Sequence, residues 1–236
     1  MNEVARYNEL WSGNWGDLQR YGPTSRHQRR VTSRILDGRG FGSVLDVGCG
    51  EGSNLAFLQG RYAPSRAVGL DLSAEAVARA RKRCPGAAFH VGDATRAAEL
   101  GPFDLVTCID VLEHVERDAE LVKALARASA RWVFCVSVQG RMRPGEAEIG
   151  HLRNYRRGQL ASLMRDAGLR VVREVEWGFP FYSPVFRSAV SGSGGEALSY
   201  GRYGLGKRLA CHAIYGLFLA NSWSRGDRVF VLGEKT

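Results

Sequence analysis

The chain contains no Cys-x-x-Cys pair. Cys49, Cys84, Cys108, Cys135 and Cys211 stand singly, so neither a zinc knuckle nor a redox dithiol is indicated. Cys49, Cys108 and Cys135 lie in or beside apolar runs, where cysteine behaves as a small buried hydrophobe. No apolar run reaches the roughly 18 to 20 residues that a membrane-spanning helix requires. No basic-then-apolar leader opens the chain, and a reducing, cytoplasmic setting is expected. Internal repeats and low-complexity tracts are missing too; only Ser191-Gly192-Ser193-Gly194-Gly195 reads as a flexible hinge. Lysine is scarce: of 33 basic residues only Lys82, Lys123, Lys207 and Lys235 are not arginine. The net charge of +9 and pI near 9.7 would suit an anionic partner such as RNA, but the arginines are scattered and nucleic-acid binding is disfavoured.

What is present suits one α/β domain over 1–236, since 236 residues with 44% hydrophobic and 24% charged content bury a substantial core. Short apolar segments near 43–47, 66–71, 87–91, 103–109 and 131–137 alternate with helical patterns near 53–60, 73–83 and 116–129. Such alternation predicts a parallel sheet covered on both faces. Residues 26–36 read as a helix leading into the first strand. Residues 1–26 carry Tyr7, Trp11, Trp15 and Tyr21 among glycines, too apolar for a disordered tail. They fit a lid or a helix docked at the domain edge. Two insertions, 138–155 and 177–223, follow strand ends, where open α/β sheets bind ligands. The second holds an apolar stretch, 209–219, that would take a greasy substrate, rest on a membrane surface, or pack as a buried helix. The last reading is favoured.

The most telling segment is Val44-Leu45-Asp46-Val47-Gly48-Cys49-Gly50-Glu51-Gly52. An apolar strand ends at alternating glycines and a helix follows, a turn that lets backbone approach a ligand closely. The spacing is G-x-G-x-G. A dinucleotide fingerprint would need glycine at Ser53, so pyrophosphate binding is disfavoured. Asp71, one βαβ unit later, can accept both hydroxyls of a ribose. Gly92-Asp93-Ala94-Thr95 puts an acid after the third strand, and Phe103 to Val115 reads as a fourth strand opening a helix.

The ordered set LDVGCGEG, GLDLS, GDAT and FDLVTCIDVLEHV resembles the class I S-adenosylmethionine-dependent methyltransferases, tightly over 43–115 (cofactor core 43–137) and more loosely beyond. The type is that of the small-molecule methyltransferases. The resemblance implies a Rossmann-like, seven-stranded, mostly parallel sheet with helices on both faces. It also implies an N-terminal lid and a last strand, about 227–233, inserted antiparallel between the fifth and sixth. It implies S-adenosyl-L-methionine held by Asp46, Gly48, Cys49, Gly50, Asp71, Leu72, Asp93, Ala94, Ile109 and Asp110. Asp71 would take the ribose, Asp93 the adenine amine, and Gly48 to Gly50 the methionyl moiety.

Methyl transfer from a sulfonium needs an aligned nucleophile and, for a hydroxyl acceptor, a base. His151 and His114 are the candidate catalytic residues. His151 lies in a His-x-Arg-x-Tyr run that related enzymes show near the acceptor site. Arg153, Tyr155, Trp177 and Phe181 are candidates for acceptor binding; of the aromatic run, Phe179 and Tyr182 also suit a pocket wall. Asp110, Glu113 and His114 resemble the E-x-x-E-H cluster of ubiquinone-pathway enzymes, which is associated with a metal; no metal is expected here. No Asn/Asp-Pro-Pro-aromatic run follows the fourth strand, which disfavours methylation of base amines. The expected activity is methylation of O or N on a small-molecule acceptor in biosynthesis, for which an aromatic or hydrophobic compound is one option, and a homodimer is left open. The alternatives are an RNA methyltransferase, an NAD-linked dehydrogenase, and a protein that binds the cofactor without catalysis.

Overall fold

The computed structural model describes residues 16–190 and 202–236. The hinge at 191–195 and most of the proposed lid, 1–15, therefore lie outside the described residues. Helices α1 (Gly16–Tyr21) and α2 (Pro23–Leu36) precede strand β1 (Ser43–Val47), then α3 (Ser53–Tyr62), β2 (Arg66–Asp71), α4 (Ala74–Arg83) and β3 (Ala88–Val91). After a 3-10 turn at Ala94–Glu99 come β4 (Phe103–Ile109), a second 3-10 turn at Leu112–His114, α5 (Asp118–Ala128) and β5 (Ser129–Val138). The chain closes with α6 (Pro144–Glu148), α7 (Gln159–Asp166), β6 (Leu169–Trp177), a π-helical turn Phe181–Phe186, α8 (Arg187–Val190), α9 (Leu205–Phe218) and β7 (Arg228–Lys235).

The seven strands form one sheet in the order β3-β2-β1-β4-β5-β7-β6. β1 to β5 run parallel, while β7 lies antiparallel between β5 and β6. Successive residues of β1 point to opposite faces and both are covered. Val44 belongs to a cluster with Leu55 and Leu58 of α3, Val31 and Ile35 of α2, and Val77 and Ala80 of α4. Leu45 belongs to the cluster on the other face, with Leu121 and Leu125 of α5 and Met164 of α7. That double coverage explains why the strands are continuous apolar runs and not alternating ones. Ser73 caps α4 by accepting from the Ala76 backbone N–H at 3.1 Å, as its position before Ala76, Val77 and Ala80 predicts.

The order reverses between β1 and β4, which places a crevice beyond their carboxyl ends. Everything described below hangs on that crevice. One sequence expectation fails here. The apolar stretch within α9 is not buried on the sheet: only Cys211 and Phe218 of this helix are buried. Tyr215 and Phe218 meet the ring of His27 of α2, and Phe218 also meets Trp177 of β6, while the rest of the stretch stays on the outside.

Candidate active site

A cleft of about 980 Å³ opens at the switch point, at the large end of the range for ligand pockets. Its floor is the turn after β1. Gly48, Gly50 and Gly52 have φ of 70°, 52° and 78°, a region that L side chains rarely adopt. At Gly48 the restriction is doubled, because a Cβ there would lie 2.1 Å from Val111 Cγ2. The turn is pinned to the next strand, since the N–H groups of Gly48 and Cys49 both donate to Leu70 O. Buried Asp46 anchors it from below, accepting from Thr107 Oγ1 at 2.6 Å and Asn54 Nδ2 at 3.0 Å. Burial pushes the Asp46 carboxyl up to about 6 against those two bonds.

Asp71 ends β2 beside this turn. Its Oδ2 accepts from Gly50 N–H at 2.7 Å and its Oδ1 from Ser73 N–H at 2.9 Å. Burial raises its pKa, and these backbone donors oppose the rise. Each oxygen keeps a lone pair for an incoming donor, so the carboxylate is fixed in place and still able to accept a pair of hydroxyls. Asp93 uses Oδ1 to cap the following 3-10 turn through Thr95 N–H and Oγ1. Those bonds hold its carboxyl below the usual range. Asp46, Gly48, Cys49, Gly50, Asp71, Leu72, Asp93, Ala94, Ile109 and Asp110 all line the one cleft. A ribose-bearing cofactor fits this donor and acceptor set.

Asp110 is the unusual member, a non-glycine residue with φ of 56°. Its carboxylate forms a two-point pair with buried Arg228 of β7, at 2.7 and 3.0 Å. Arg228 also donates to Gln28 of α2. Asp110 is thereby turned away from the metal-like grouping that its spacing to Glu113 and His114 suggests. His151 takes its place: ligand-type atoms of Glu113, His114 and His151 lie within 4.8 Å of one another. Glu113 is buried and accepts from Ser137 Oγ at 2.8 Å. Burial, and next the charge of Asp110, push its pKa up.

His114 and His151 meet edge to face with centroids 4.7 Å apart. His114 Nδ1 lies 3.0 Å from Gly150 O, a pure acceptor, so Nδ1 carries a proton. For His151 the tautomer follows from a longer chain. Arg187 grips Glu146 with two bonds, at 2.6 and 2.9 Å, and Asn154 Nδ2 donates to Glu146 Oε2 at 2.9 Å. That orients Asn154 Oδ1 toward His151 Nδ1, 3.3 Å away. Nδ1 is then the donor and Nε2 the lone-pair nitrogen. Burial lowers the His151 pKa, opposed by Asn154 and the charge of Glu146, so the ring is neutral at pH 7.

The four residues expected to bind an acceptor do not line the cleft. Arg153 donates to the carbonyls of Val115 and Glu116 and pairs with Asp118 at 2.9 Å. Tyr155 is buried and donates to the same Asp118 at 2.8 Å. Together they strut the loop that carries His151. Trp177 is buried against His27 and Phe218, and Phe181 is tied through its N–H to Asn221 Oδ1 at 2.8 Å. The aromatic wall instead comes from Tyr182 and Phe186, with Ile149 and Leu152 from the first insertion. Sequence spacing missed Arg187, Glu146 and Arg228. A basic residue opening a strand and an acid three residues after Arg143 were the only local signs. The described end of the N-terminal segment reaches the cleft, through Leu18, Gln19, Pro23, Thr24 and Ser25.

Among known proteins, the family described as a methyltransferase domain matches residues 44–131. A trans-aconitate 2-methyltransferase from Methylobacterium nodulans is 38% identical over 96 residues, 41% of this chain and 37% of the relative. A ubiquinone biosynthesis O-methyltransferase from Sodalis glossinidius is 36% identical over 136 residues, 53% of each chain. The chain thus spans about half or less of the length of these relatives. The fold as a whole is similar to N-methyltransferase NodS from Bradyrhizobium japonicum, solved with S-adenosylhomocysteine. The TM-score is 0.64 at 14% identity, covering 100% of this chain and 99% of that one.

Proposed function

Because the chain belongs to the class I S-adenosylmethionine-dependent methyltransferases, we propose that it methylates an O or N atom of a small biosynthetic acceptor of aromatic or hydrophobic character. One observation carries this reading: a carboxylate fixed for hydroxyl binding at Asp71 and the paired imidazoles of His114 and His151 face one cleft. S-adenosylmethionine, when bound, supplies a methyl group already activated by its sulfonium. Asp71 holds the ribose hydroxyls, Asp93 the adenine amine, and the backbone from Gly48 to Gly50 the methionyl portion. Asp46 and Thr107 keep that turn in place, and Asp110 with Arg228 closes the polar end.

The remaining work is alignment and one proton. His151, through Nε2, takes the proton of a hydroxyl acceptor, while an amine acceptor needs only to arrive neutral. His114 packs against His151 and fixes its ring plane. Tyr182, Phe186, Ile149 and Leu152 give the acceptor an apolar wall. The trio of Glu113, His114 and His151 serves as a proton-handling group in this reading.

Two substitutions test the two ends of the cleft separately. Asp71→Ala should weaken S-adenosylhomocysteine binding in calorimetry by at least about tenfold; unchanged affinity would remove the cofactor assignment. His151→Gln should leave that affinity intact and depress turnover of an acceptor found by library screening. Full activity in this variant would remove the base.

A further inference from the structure

Helix α9 is chemically two-sided, and only one side is used by the cleft. Cys211 and Ile214 on its inner side line the cavity, and Phe218 is buried against α2 and its neighbours. The opposite stripe contains Leu205, Leu209, Ala213 and Leu217, at helical spacing, with Gly206 and Ala210 beside them. It carries no polar side chain. Leu205, Leu209 and Leu217 are 75%, 60% and 48% exposed, against the rule that large exposed apolar patches mark interaction sites.

The margins of the stripe are basic. Lys207 borders one side, over the Tyr203 ring at 3.8 Å. Arg208 and His212 border the other, with Arg208 over Tyr21 and Arg26 of α2 over Tyr215. From Arg202 to Gly226 the chain has no aspartate or glutamate. An apolar stripe between cationic margins, on a helix of 14 residues, has the form of an interfacial helix. Such a helix lies in the headgroup region with its leucines in the acyl boundary and its cations on anionic lipid. A second copy of this chain fits less well. An isologous pair would bring together two cationic helices with no acid on either to answer the other's charge.

We propose that the outer stripe of α9 docks on an anionic phospholipid surface. Docking would seat the cleft wall formed by Cys211 and Ile214 directly above the lipid. It does not depend on the methyl-transfer reading, because none of the stripe residues lines the cleft.

The test is vesicle co-sedimentation of the full chain with phosphatidylcholine vesicles, with and without phosphatidylglycerol. The expected result is binding to the anionic vesicles, weak binding to phosphatidylcholine alone, and release by salt. Leu209→Gln/Leu217→Gln, which leaves the charge unchanged, should lower vesicle affinity on the order of tenfold. S-adenosylhomocysteine binding should stay at the wild-type value, showing that the double variant folds. Lys207→Gln/Arg208→Gln should lose the preference for phosphatidylglycerol. Failure of the wild type to bind anionic vesicles overturns the proposal, as does undiminished binding by the leucine variant. Equal, salt-independent binding to both lipids overturns the anionic part. A lipid-free dimer in sedimentation equilibrium that Leu209→Gln/Leu217→Gln dissolves would assign the stripe to a second copy.

Discussion

At Gly48 two separate demands fall on one residue. Its φ of 70° disfavours any Cβ, and the space a Cβ would occupy belongs to Val111. Val111 follows Asp110, so a displacement would travel from the β1 turn to the β4 turn, both ends of the cofactor floor. Gly48→Ala should therefore lower stability by about 2 kcal/mol and weaken S-adenosylhomocysteine binding. Denaturant unfolding and calorimetry on the same preparation separate the two effects. A variant with unaltered affinity would mean that the turn relaxes without disturbing the site. The strand-terminal acids and this turn were legible in the sequence because their chemistry is local. Glycine spacing and a carboxylate at a strand end do not depend on distant packing. Tyr155 and Trp177 were not, because an aromatic residue in a loop has the same sequence signature whether it lines a pocket or fills a core. Tyr155 is settled only by Asp118, 37 positions away, and Trp177 by His27.

At the level of elements, the cleft's acceptor side depends on a clasp between short pieces that have little stability of their own. Helix α6 has five residues, too few to persist alone. Its Glu146 is held below the ordinary carboxyl range although burial works the other way, because Arg187, the Arg143 N–H and Asn154 all bond to it. Arg187 further donates to Gln139 O and pairs with Asp227 at 2.7 Å, so one guanidinium joins α6, the end of β5, the entry to β7 and α8. Both partners are almost fully buried. Removing one leaves an uncompensated charge, and Arg187→Met should cost about 3 kcal/mol. Glu146→Gln should also be destabilising, and the double variant should lose less than the sum of the two. A double-mutant cycle by urea denaturation measures this directly; additive losses would show that the pair is not coupled. Because Glu146 also orients Asn154, Glu146→Gln should depress turnover more than it weakens cofactor binding. No periodicity announces such a clasp, since its members lie 41 residues apart. The parallel strands, in contrast, declare themselves by apolar runs that only double coverage explains.

For the whole molecule, a residue that joins the N-terminal helices to the sheet is His27. It is fully buried and stacks on Trp177 of β6 and Tyr215 of α9, with centroids 5.0 and 4.2 Å away. Its Nε2–H donates to Tyr215 O at 2.9 Å, and Arg30 approaches Nδ1. Three layers of structure thus meet on one neutral imidazole. Burial is the main cause that lowers its pKa from 6.5 to about 4, aided by the charges of Arg30 and Arg26 and opposed by the Tyr215 carbonyl. The unfolded chain binds this proton near pH 6.5 and the folded one only near 4, so acid favours unfolding. The stabilisation is fully present above pH 6.5 and is lost as pH falls through 4, amounting to about 3 kcal/mol over that window. Asp46 titrates in the same range with the opposite sign: its raised pKa makes its contribution fall as pH rises toward 6. The two must be separated by difference. His27→Phe keeps the stacking and cannot titrate, while Asp46 is the same in both proteins. The stability of the wild type relative to His27→Phe, from urea unfolding at several pH values, should therefore drop by about 3 kcal/mol between pH 7 and 4. A difference that does not change with pH would mean that His27 has the same pKa in the folded and unfolded chain, and that its burial at the α2–α9–β6 junction leaves its titration unperturbed.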